Sequence, residues 1–124
     1  MSWWEWVLVG LAGAIGAPLR YIIDTIVTER IGGEFPLGTL VVNVTGCFLI
    51  GVLMTVFTER LVDERWRLLL VVGVLGGYTT FSSFGWETYQ SIHEGSVLRG
   101  LANVTLSVVF GYLAVWCGAL LARR

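Results

Sequence analysis

An all-α membrane protein with four transmembrane helices is the fold class this sequence predicts, and three observations predict it. Hydrophobic residues make up 56% of the chain and charged ones 14%, with mean hydropathy +0.78, which is not the balance of a soluble globule. The charges gather between long apolar runs, leaving four stretches, at about 3–26, 37–57, 66–89 and 97–121, that each reach the roughly 20 residues needed to cross a bilayer. Inside the third run lies GGYTTFSSF (76–84), a polar and break-prone segment at a depth where a soluble loop could not survive. By length the 124 residues form one domain, a single transmembrane unit over 1–124.

The first span opens on Trp3, Trp4 and Trp6, which suit the membrane interface. It lacks the positive n-region of a signal peptide, so it is expected to be retained. Within it GAIGAPLRY (13–21) offers small residues for close helix approach, and Pro18 removes one backbone donor. Arg20 lies about one turn from the end of the span. It either snorkels to the headgroups or faces a vestibule, where it would concentrate anions or pair with Asp24, one turn on.

A short Gly-rich loop over 27–36 ends at Pro36 and leads into the second span, GTLVVNVTGCFLIG (38–51). Asn43 is its most polar side chain, and an amide near mid-span is costly unless bonded. It serves as glue between helices, or it belongs to a stripe of Thr39, Asn43 and Cys47, at four-residue spacing, along which its NH₂ could donate to an anion. TERLVDERWR (58–67) mixes both signs of charge and reads as a solvated loop.

In the third span Gly76 and Gly77 weaken the helix by roughly 1 kcal/mol each relative to alanine, and Thr79, Thr80 and the serines do not repair the loss. The helix is expected to break here. In hydrocarbon each freed N–H and C=O costs several kcal/mol, roughly, so such a break needs protein, ions or a water-filled cavity as partner. Broken intramembrane helices hold ion sites in transport proteins. The alternative is that the glycines serve close packing while the hydroxyls bond back to the preceding turn. Phe81 and Phe84 stand three apart beside these hydroxyls, and ring edges turned inward can line an anion path without trapping the ion on a full charge. Glu87 follows one turn later, near the mouth of any such path and within reach of solvent.

The fourth span carries Asn103, Ser107 and Gly111 at four-residue intervals, a pattern of helix packing or a second polar stripe. Four short spans do not readily enclose a polar path, and no internal repeat is present. Any symmetry would come from a second copy of the chain.

Several functions are excluded. Cys47 and Cys117 have no partner at ligand spacing, so neither a disulfide scaffold nor a metal site built on side chains is suggested. Net charge is −1 and lysine is absent, which argues against a nucleic-acid partner. No nucleophile–base pair or phosphate loop appears, so the chain does not read as an enzyme. Arginine placement, five on the side of the termini against Arg30 and Arg99 opposite, nominally puts the termini inside, but the bias is modest and leaves dual insertion open.

The chain resembles the Fluc family of fluoride channels, also called CrcB proteins, across all four spans. The matching stretches are those at 13–21, 38–51 and, most specifically, 76–84. The resemblance implies an antiparallel, dual-topology homodimer in the lipid bilayer, with two fluoride pathways near the subunit interface and a structural sodium ion on the twofold axis. Backbone carbonyls of Gly76 and Thr79 from both subunits would hold the sodium. Phe81, Phe84, Asn43, Ser107 and Thr80 would line the fluoride pathway, and Arg20, Glu87 and Asn103 would stand at vestibule or gating positions. Family members often place a tyrosine one turn before the fourth-span serine, where this chain has Asn103, which can still donate to an ion or a water.

The expected function is therefore a passive fluoride channel in the inner (plasma) membrane of a prokaryotic-type cell, a multi-pass protein that exports fluoride trapped in the cytoplasm. Two alternatives are a small dual-topology drug or cation exporter and a structural membrane subunit. The exporter would need a titratable acid at membrane depth. Glu5 stands at the very start of the first span and no deeper carboxylate is expected.

Overall fold

A computed structural model describes residues 2–124, and every span anticipated from hydropathy is a helix long and apolar enough to cross a membrane. Helix α1 covers Trp3–Ile31 and α2 covers Leu37–Glu59. The third crossing is divided. Its first half, α3 (64–78), opens with a turn over Glu64–Trp66, widens into a π-helix over Arg67–Leu75 and closes with an α turn over Gly76–Tyr78. After the unwound residues 79–81, α4 resumes at Ser82–His93, and α5 spans Val97–Ala122.

Several boundaries differ from expectation, and the third crossing runs over Glu64–His93 rather than 66–89. Helix α1 runs five residues past the predicted end at 26, to Ile31, and stops at Gly32, whose φ of 70° is one that glycine adopts readily. The break falls at Thr79, not at the glycines: Gly76 and Gly77 are helical, and Thr79 is the first extended residue, with φ −82° and ψ 158°. The glycines instead serve contact. A Cβ on Gly77 would lie 2.9 Å from the Gly13 carbonyl oxygen and 3.2 Å from its Cα, and one on Gly16 would lie 2.9 Å from the Tyr78 nitrogen and overlap the Val74 carbonyl. The packing role open for the glycines at the sequence level is thus the one realised between α1 and α3, while the break belongs to the residues that follow. The π stretch has no signal in the sequence.

On the other side α2 packs along α5 by the same device. Gly51 faces the Val115 backbone and Gly118 faces the Phe48 carbonyl, with a Cβ on Gly118 only 3.1 Å from the Val52 nitrogen. A small core of Val42, Leu75 and Tyr78, flanked by Ile23, Ile50 and Leu53, joins the two halves. The Tyr78 hydroxyl is satisfied at 2.8 Å by that of Thr45. Only 11 to 17% of the residues in the most apolar stretches are buried inside the chain, so most of the hydrophobic surface must be covered from outside, by lipid or another subunit.

Candidate functional site

The unwound segment is where the site is built, and backbone accounting shows how. In an uninterrupted helix the Thr80 N–H would bond the Gly76 carbonyl. Here it donates to Asn43 Oδ1 at 2.8 Å, while Asn43 Nδ2 donates to the Thr80 carbonyl at the same distance. One amide side chain therefore satisfies both backbone groups of Thr80, and the Gly76 carbonyl is left without its helical donor. The Gly77 carbonyl takes its bond from Arg20 Nε at 3.2 Å. The Thr80 hydroxyl accepts from the Ser83 N–H at 3.1 Å and so covers one of the free amides at the start of α4.

A single cavity of about 400 Å³ runs beside this segment. Its wall brings together Asn43 from α2, Gly76 from α3, Thr79, Thr80 and Phe81 from the unwound stretch, Phe84 from α4 and Ser107 from α5. All seven residues expected to meet sodium or fluoride thus share one space, although they come from distant parts of the chain. The rings of Phe81 and Phe84 stand 5.5 Å apart at a 46° tilt, and Phe81 is 83% exposed on the surface of the single chain. Ser107 Oγ is buried and bonds no other group among the described residues.

Arg20 borders a second, smaller cavity of about 230 Å³ with Tyr21, Asp24, Thr39, Thr80 and Ser83. Its Nε is spent on the broken helix. It and Asp24 share the cavity wall. Glu87 and Asn103 line neither cavity. Glu87 Oε1 accepts from the Thr39 hydroxyl at 2.6 Å, and its Oε2 is buried with no partner among the described residues. Glu87, expected within reach of solvent, instead turns its carboxylate toward Thr39 of α2. Asn103, 1% exposed, donates to Thr88 Oγ1 at 3.0 Å.

The sequence reading missed the apolar walls of the larger cavity, Ile50, Val71, Leu75 and Val108. A signal was present: Ile50 lies seven residues from Asn43, and Val71 and Leu75 are four apart, so helical periodicity puts each on the face of a polar residue already singled out. Among the described residues no group of three or more His, Cys, Asp or Glu could hold a metal.

Comparison with known proteins follows the same lines. The family described as CrcB-like protein, Camphor Resistance (CrcB), matches residues 7–119. The chain is similar to the fluoride-specific ion channel FluC of Solibacter usitatus, at 59% identity over 121 residues that cover 97% of this chain and 99% of the relative. It is also similar to proteins of the same name from Acidobacterium capsulatum, at 40% identity covering 97% of each chain, and from Rhizobium meliloti, at 43% identity covering 94% of each.

Proposed function

From the premise that this chain belongs to the CrcB-like family, we propose that it is a fluoride-selective passive channel, a multi-pass membrane protein that releases cytoplasmic fluoride. Relatives spanning nearly the whole chain are named fluoride-specific ion channels, which makes this a transport family and not an enzyme family. The observation that carries the reading here is the convergence of Asn43, Thr80, Phe81, Phe84 and Ser107 on one cavity beside the broken helix.

The chemistry of that cavity suits a small, strongly hydrated anion. Asn43 spends one N–H on Thr80 and keeps a second for an ion. Ser107 brings a hydroxyl with no competing partner among the described residues. The first turn of α4, whose amides carry the positive end of the helix dipole, borders the same space through Phe81 and Phe84. Phenylalanine ring edges add weak positive potential without a formal charge. Many weak donors can replace hydration water without holding the ion too tightly to leave, which is what conduction requires.

An antiparallel homodimer with a structural sodium ion on its axis completes the proposal. The residues present fit such an ion: Gly76 lacks its helical donor, Thr79 is extended, both border the cavity, and no carboxylate among the described residues lines it. Neutral carbonyl dipoles suit a monovalent cation, whereas a divalent ion would recruit carboxylates. One chain offers two such residues, so a second copy is needed to complete a shell of four carbonyls. Bound there, sodium would supply fixed positive charge and tie the two broken helices together.

The deciding experiment is anion efflux from proteoliposomes containing the purified protein. Fluoride should leave rapidly while chloride is retained. Chloride efflux as fast as fluoride efflux would overturn the selectivity, and absence of both would overturn the channel.

A further inference from the structure

Asn103 stands on the face of α5 that carries Gly100 and Ser107, three residues before and four after. At Gly100 α4 packs tightly against α5: a Cβ there would lie 2.5 Å from Ile92 Cγ1 and 3.3 Å from the Thr88 carbonyl oxygen. Ser107 is where the same face reaches the larger cavity, which Phe84 also lines. Asn103 lies between, 1% exposed, and its amide meets not the cavity but Thr88 of α4. Thr88 Oγ1 accepts from Asn103 Nδ2 at 3.0 Å and donates its own proton to the Phe84 carbonyl at 2.8 Å. The hydroxyl has one proton, so accepting from Asn103 orients it to donate along this single direction, and the two bonds polarise one another.

From this chain of bonds we infer that Asn103 is a positioning residue for Phe84 and not a donor on the ion path. It acts through Thr88, anchoring the first turns of α4 to α5 and thereby fixing the rotation that aims the Phe84 ring into the cavity. A threonine bonding back to the carbonyl four residues earlier is common and by itself only bends a helix slightly. What differs here is that a fully buried amide from another helix sets the rotamer of that threonine. The alternative, a free amide waiting for an anion, would leave Asn103 aimed into the cavity, where it is absent.

This inference rests on the channel reading for its functional consequence but not for its structural one, and the test separates them. Asn103→Leu, Thr88→Val, their combination and Thr88→Ser are prepared in the full chain, each with 4-fluorophenylalanine at 84 as a fluorine NMR reporter. Fluoride efflux is measured on the same variants without the label. Asn103→Leu and Thr88→Val should each lower efflux roughly tenfold, the scale of one lost buried hydrogen bond, and the double variant should be no worse than either. The reporter at 84 should shift in the same direction in both, while Thr88→Ser, which keeps the hydroxyl, should match the wild type in efflux and shift. An unmoved reporter in folded Asn103→Leu, or full efflux in Thr88→Val, would overturn the positioning role and return Asn103 to the ion path. If Asn103→Leu does not fold, Asn103→Ala replaces it and the same comparisons decide. Failure of the wild type to pass fluoride would sink the channel reading alone, since the reporter shifts would still accept or reject the coupling.

Discussion

Asn43 shows how much one side chain can settle in a membrane. Its amide binds both backbone groups of Thr80, so the unwound turn is held by protein rather than by a charge, and each of these bonds would cost about 1–3 kcal/mol if left unmade in a buried site. The phenylalanines carry a different kind of prediction. Phe81 and Phe84 border the same cavity with rings 5.5 Å apart, so replacing either with isoleucine keeps bulk while removing the ring quadrupole. Fluoride efflux from proteoliposomes should fall by more than about tenfold in each, the scale of a ring interaction of roughly 1.5 kcal/mol, with protein yield unchanged. Full efflux in both variants would reduce the pair to packing.

At the scale of elements, glycines set the distance between helices. Gly16 permits α1 to touch the α3 backbone at Val74 and Tyr78, while Gly10, on the same helix, has open space where a Cβ would go. Alanine should therefore act oppositely at the two positions. Gly16→Ala is expected to destabilise by about 1–3 kcal/mol through forced separation of α1 and α3, whereas Gly10→Ala should be neutral or gain up to about 1 kcal/mol from helix propensity. Thermal unfolding in detergent reads both. Equal melting temperatures for the two variants would mean that α1 and α3 are not in the close contact described.

For the whole molecule the question is what covers the exposed face that holds the cavity. An antiparallel dimer would seal it, and then tags on the C-terminus, beyond Arg124, should be reachable from both sides of the membrane. Labelling from one side only would rule that dimer out. The sodium proposal gives a second test at this scale. Replacing sodium with a bulky organic cation should weaken assembly or flux, but an imposed sodium gradient at clamped voltage should drive no fluoride, because an ion enclosed by carbonyls of two subunits is structural. Sodium-driven fluoride movement would falsify that role.

The four crossings, the membrane setting and the identity of the polar residues were all decided by the chain itself, because transfer free energy into hydrocarbon is a local property summed over about 20 residues. The break near 76–84 was legible for the same reason, since weak helix formers at membrane depth are rare enough to notice. Tertiary structure decided which of those residues met. Asn43 and Thr80 are 37 residues apart, Arg20 and the Gly77 carbonyl 57, and Thr39 and Glu87 48, so no local pattern could pair them. It also moved the break from the glycines to Thr79, because α1 approaches α3 at Gly77 closely enough to reward an unbroken helix there, while Asn43 is free to take the backbone groups of Thr80. Where a buried polar atom finds its partner depends on which helices lie side by side, and helix neighbours are set by packing, which a hydropathy profile does not contain.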